Sequence, residues 1–126
     1  MNREPEETLD PQDWTETRAL ARRMVDDAVT HLSTVRDRPV WQPMPETVRA
    51  SHHAPLPTGP LPLAQVYEEM RQNLIPYAMG NIHPRFWGWY MGASNFTGAL
   101  GDFLAAIDGS NLGGGDTAAA ATDRQV

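Results

Sequence analysis

Residues 83–94, HPRFWGWYMGAS, hold four of the chain's ten aromatic side chains, Phe86, Trp87, Trp89 and Tyr90, and pass directly to the small residues Gly92, Ala93 and Ser94. The stretch has neither the 3.6-residue repeat of a helix nor the clean alternation of a strand. Two readings are open. In one, the rings plug the space between flanking helices, with His83-Pro84 setting a turn. In the other, Trp89, Tyr90, Met91, Gly92 and Ala93 form the wall of a pocket for an organic substrate. Alternation divides the rings, Trp87 and Trp89 to one side and Phe86, Gly88 and Tyr90 to the other.

The flanks on both sides read as helix. Downstream, Phe96, Ala99, Leu100, Phe103, Leu104 and Ile107 recur three and four apart and predict a helix from about Asn95 to Ile107, stopped by Asp108-Gly109. Upstream, Leu63, Val66, Tyr67, Met70 and Leu74 predict a helix from Leu63 to about Ile75, ended by Pro76. Residues 10–38 hold a longer one, whose stripe runs through Trp14, Ala21, Met24, Val25, Ala28, Leu32 and Val35. Asp10 is placed as its N-cap, Pro11 at N1 and Asp13 at N3, and the residues before Pro39 end it. The fold expected is therefore mainly α, three amphipathic helices joined by an aromatic turn and a proline-rich connector.

That connector, residues 39–62, carries seven of the eleven prolines and reads as extended, neither helix nor central strand. Its apolar residues Val40, Trp41, Met44 and Leu56 suggest a strap lying on a surface; a polyproline ligand is the alternative, though no regular PxxP register is present. Residues 1–9 read as a disordered acidic tail, and residues 110–126 as a Gly/Ala loop leading into a further helix. Thr122 and Gln125 have the spacing of a capping box, with Val126 opening an apolar face behind it. A capping box needs a helix to cap, so a truncated chain is expected.

Composition narrows the function classes. The net charge is −6 and the ten basic residues are scattered, which argues against a nucleic-acid surface. No stretch approaches the roughly 20 apolar residues of a membrane span, and the acidic opening is unlike a signal peptide. A cytoplasmic location is the expectation. There is no cysteine, hence no disulfide framework and no thiolate chemistry. Every basic residue is arginine, and lysine is absent from the sequence.

The remaining polar groups form no evident active site. His31, His52, His53 and His83 lack the spacing of a metal site. Ser33, Ser51, Ser94 and Ser110 lie in no GxSxG elbow, and the glycines at 113–115 are not followed by a Walker lysine. Asp26 and Asp27, like Glu68 and Glu69, are read as solvated helix faces.

The run His83-Pro84-Arg85-Phe86, the aromatic pair with Gly92-Ala93-Ser94, the segment Leu100-Gly101-Asp102-Phe103-Leu104 and Ala121-Thr122 together resemble the N-terminal region of the pyridoxal-phosphate-dependent group II decarboxylases. Arg38-Pro39-Val40 and the proline strap before the second helix are also similar, so the resemblance covers nearly the whole chain. Departures exist. Trp89-Tyr90 stands where the family has Tyr-Phe, alanines at 118–121 replace a Ser-Pro, Asp123 and Gln125 stand at an acidic pair, and Asn111 and Gly113 replace apolar residues.

The resemblance implies a fold type I, α/β parent enzyme, a homodimeric amino-acid carboxy-lyase. In it the first helix serves dimerisation and residues 89–93 line the substrate pocket. Asn111, Leu112 and Gly113 reach the pocket of the partner subunit. Pyridoxal 5'-phosphate serves there as the electron sink when carbon dioxide leaves. The family's covalent lysine, its aspartate at the pyridine nitrogen and its stacked histidine lie further along than residue 126. Without lysine, this polypeptide has no side chain for the covalent bond to the cofactor, so it is expected to be inactive alone. The alternative is a self-contained helical module for protein interaction.

Overall fold

The computed structural model describes Thr8 and residues 10–109. Apart from Thr8, the acidic tail lies outside the described residues, as do the Gly/Ala loop and its capping box. The described residues are helical and contain no strand. Contacts divide the chain into two units, Met1–Trp87 and Gly88–Val126.

In the first unit, α1 spans Trp14–Ser33. Asp13, and not Asp10, is its N-cap: the Asp13 Oδ1 accepts from the backbone N–H of Thr15 and Glu16, at 2.7 and 3.1 Å. A cap must be extended with its side chain turned back on the first turn. Asp13 meets this at φ −121° and ψ 104°, which leaves Pro11 outside the helix. The helix closes at Thr34, and a 3-10 turn, Val35–Asp37, follows before Arg38 runs extended into Pro39.

The strap is not wholly extended. A short helix α2, Glu46–Ser51, sits inside it, so the described residues hold four α-helices and not three. Pro45 precedes its first residue, where a missing N–H costs nothing, and no proline occurs again until Pro55. Val40 and Met44 are half-buried, as expected of a strap on a surface, whereas Trp41 and Leu56 are exposed.

Helix α3 spans Leu63–Asn73, and a second 3-10 turn, Ile75–Tyr77, contains Pro76. The proline ends the α-helix but is absorbed by this tighter turn. Helices α1 and α3 meet along a polar seam around Tyr67, which is 6 % exposed and is the buried hydrophobic residue among those described. The Tyr67 hydroxyl donates to Asp27 Oδ2 at 2.7 Å, and the Arg23 guanidinium lies 5.5 Å from the ring centroid. Arg23 Nη2 also reaches Glu68 Oε2 at 3.0 Å. Arg71 forks onto the same carboxylate at 2.6 and 3.2 Å, and Gln72 donates to it at 2.7 Å. Hydrogen bonds from Arg71 and Gln72 hold the Glu68 carboxyl down at about 2. Asp27 and Glu68 thus join two helices while their side chains stay 43 % and 35 % exposed, so the solvated faces expected there also carry the joint; Asp26 and Glu69 are exposed.

The second unit is described over residues 88–109. Its helix α4 spans Phe96–Asp108. Asn95 caps it through Oδ1, which accepts from Gly98 N–H at 2.7 Å, and Gly109 closes it in the left-handed conformation at φ 60°. Both ends lie within one residue of the predicted ones. Its apolar face stays open, with Leu100, Phe103, Leu104 and Ile107 all exposed. No helix among the described residues is long and apolar enough to cross a membrane.

Candidate functional site

Within the first unit, the segment after α3 is pressed onto the start of the strap. Gly80 has φ +87°, and a Cβ built there would stand 1.9 Å from the Val40 carbonyl oxygen. Only glycine lets the two backbones approach this closely. Nearby, Gln42 Nε2 donates to the Pro76 carbonyl at 3.0 Å. The Gly80 carbonyl then accepts from His83 N–H at 2.9 Å, a turn that carries the His83 ring inward to 4 % exposure.

His83 Nδ1 accepts the Arg85 backbone N–H at 3.0 Å. In the neutral ring this leaves the proton on Nε2. That nitrogen is buried and has no hydrogen-bond partner. Arg38 follows the 3-10 turn at the end of α1. Its Nη2 donates to the His31 carbonyl, one of the last-turn carbonyls that α1 leaves without an internal donor, and its Nη1 lies 2.7 Å from His31 Nδ1. Burial, and then the Arg38 charge, hold the His31 imidazole below its ordinary range. Arg38 Nε is likewise buried without a partner. Two unpaired buried donors each cost about 1–3 kcal/mol.

Both residues line one cavity of about 380 Å³, together with His31, Gln42 and Arg71. Its apolar wall includes Val35, Val40, Ile75 and Ile82. No carboxylate lines it, and among the described residues Arg38 has no acidic partner. The site is therefore short of acceptors. It suits an anionic group with an apolar body.

Sequence reasoning missed this cavity. The sequence places His83 in a turn and gives His31 no metal-site spacing, and neither points to a cavity. A signal existed in the Gly-x-x-His spacing of residues 80–83 and in an arginine seven positions after His31, just beyond the helix end.

The expected pocket wall lies in the second unit. Trp89 and Tyr90 are 84 % and 108 % exposed, and Met91, Gly92 and Ala93 are exposed with them. Trp89 has φ 41°, a left-handed conformation costly for a bulky L-residue. In the first unit Trp87 is 94 % exposed, while Phe86 is half-buried. Gly88 is half-buried as well. Asn111, Leu112 and Gly113 lie outside the described residues. Among the described residues no three His, Cys, Asp or Glu side chains group as metal ligands.

Pyridoxal phosphate can be tested against the sequence directly. With no lysine, the chain offers no side-chain amine for the covalent attachment that the group requires, so no step through it is assigned to these residues. No family model matches the chain. Among characterised proteins it is similar to tyrosine decarboxylase 2 of Narcissus pseudonarcissus, 31 % identical over 124 residues. That match takes in 96 % of this chain and 24 % of the decarboxylase, so the chain spans about a quarter of the length of the relative it matches.

Proposed function

We propose that the chain is the N-terminal segment of a pyridoxal-phosphate-dependent amino-acid decarboxylase, a carboxy-lyase. The observation that carries this is the similarity to a tyrosine decarboxylase along 96 % of the chain. The lack of lysine agrees with it, because the segment would leave covalent cofactor chemistry to the remainder of a fold type I enzyme. An aromatic amino acid is the substrate class that the relative's name supports.

In this reading Trp89, Tyr90, Met91, Gly92 and Ala93 wall the substrate pocket. Their work is to orient the substrate and exclude water. Exposed rings on a strained backbone support this, since a bulky residue holds a left-handed conformation at a cost that later contacts offset. Asn111, Leu112 and Gly113 extend into the site of the partner subunit, and α1 with its neighbours forms the homodimer contact. The open apolar face of α4 supports a larger assembly. The enzyme is cytoplasmic and engages neither nucleic acid nor membrane.

The test is to translate the reading frame past codon 126 and assay the full product with pyridoxal phosphate. A continuation containing a cofactor-binding lysine, with carbon dioxide released from aromatic L-amino acids, is the expected result. A stop codon directly after Val126, with the 126-residue product cooperatively folded and monomeric, would instead identify a helical interaction module.

A further inference from the structure

We infer that the cavity between the end of α1, the start of the strap and the His83 turn is a binding site for a small organic acid, its carboxylate received by Arg38 and His83. This goes beyond the decarboxylase reading and does not depend on it. Three features of the residues that line the cavity support this. The first is a volume of about 380 Å³, within the range of small-molecule sites. The second is charge: Arg38 brings a guanidinium that no carboxylate of the described residues pairs with. The third is the pair of buried donors left without acceptors, Arg38 Nε and Nε2 of a histidine that is 96 % buried.

A carboxylate fits this chemistry better than a neutral carbonyl. It supplies two acceptor oxygens and a charge, and hydrogen bonds between ionised partners are roughly twice as strong as neutral ones. A metal cation is disfavoured, because the lining is rich in donors and contains no acid. Val40, Ile75 and Ile82 receive the apolar body of the acid. Neither orphan nitrogen is in contact with solvent. Binding therefore comes with a local parting of the lining, and the Arg38 and His83 resonances are where it registers.

The experiment is a titration of the ¹⁵N-labelled 126-residue chain with cyclohexanecarboxylate, followed at the His83 ring and Arg38 Nε signals. Cyclohexanemethanol serves as the neutral isostere and sodium chloride as the ionic control. Saturable shifts are expected with the acid, with the alcohol weaker by about tenfold or more and no saturation with chloride. Arg38→Gln is expected to abolish the response at His83. Equal affinity for acid and alcohol, no saturable shift at either residue, or an undiminished response in a folded Arg38→Gln protein would overturn the inference. Should Arg38→Gln fail to fold, the comparison of acid with alcohol on the unaltered chain decides alone.

Discussion

The two described regions are both helical, yet they are specified differently. Residues 14–87 are stitched by bonds between distant positions: Tyr67 to Asp27, Arg23 to Glu68, and Gln42 to Pro76. Helix α4 is closed by bonds reaching three or four positions, from Asn95 to Gly98 and from Gly109 to Ala105. The first region thus has a shape that depends on tertiary partners. The second has an address written locally and an apolar face still open. A helix of 13 residues is marginal in water without packing. Backbone amides of α4 are accordingly expected to exchange faster than those at the α1–α3 seam. Equal protection would erase the contrast.

The sharpest break should come from two glycines that both have positive φ. At Gly80 an added Cβ meets the Val40 carbonyl at 1.9 Å, whereas at Gly109 nothing lies within 4 Å. Gly80→Ala combines backbone strain with a backbone clash and should cost at least about 3 kcal/mol, read by urea unfolding of the first region. Gly109→Ala carries the left-handed penalty alone, about 1–2 kcal/mol, confined to the last turn of α4. A mild Gly80→Ala would mean that the strap does not lie on the His83 turn.

Tyr67→Phe keeps the ring and removes the bond to Asp27, whose carboxylate retains Arg23 at 3.7 Å. A loss of about 1 kcal/mol in the first region is expected, with α4 exchange unchanged. The smallest effect is acid weakening of the seam. Glu68 titrates at about 2 in the fold against 4.5 ordinarily, so the unfolded chain binds its proton first as the pH falls. Its contribution is complete above about 4.5 and gone below about 2. Replacing Glu68 with Gln should flatten that part of the pH–stability curve.

What was legible in the sequence follows the same contrast. The limits of α4, its cap at Asn95 and its stop at Gly109 could be read from neighbours alone. So could the stripes of α1 and α3. Helix α2 was hidden by the prolines around it, since Pro45 stands where proline starts a helix as readily as it breaks an extended run. The residue types put the cap at Asp10 and Asp13 at N3, whereas the extended backbone at Asp13 makes it the cap. The seam and the cavity were out of reach for a different reason. Asp27, Glu68, Arg38 and His83 acquire their roles from partners brought together by folding, and periodicity is blind to such pairings. The aromatic turn was noticed for its composition, but its strained Trp89 backbone could not be read from residue types.

The most direct test of the proposed decarboxylase reading is an assay for decarboxylation of aromatic L-amino acids by the full product of the reading frame, comparing the unaltered protein with Trp89→Ala while cofactor absorbance is recorded. The expected result is turnover lowered about tenfold or more with pyridoxal phosphate retained, as befits a wall that orients substrate. Unchanged kinetics, or loss of the cofactor along with activity, would contradict that role and move Trp89 from the pocket to packing.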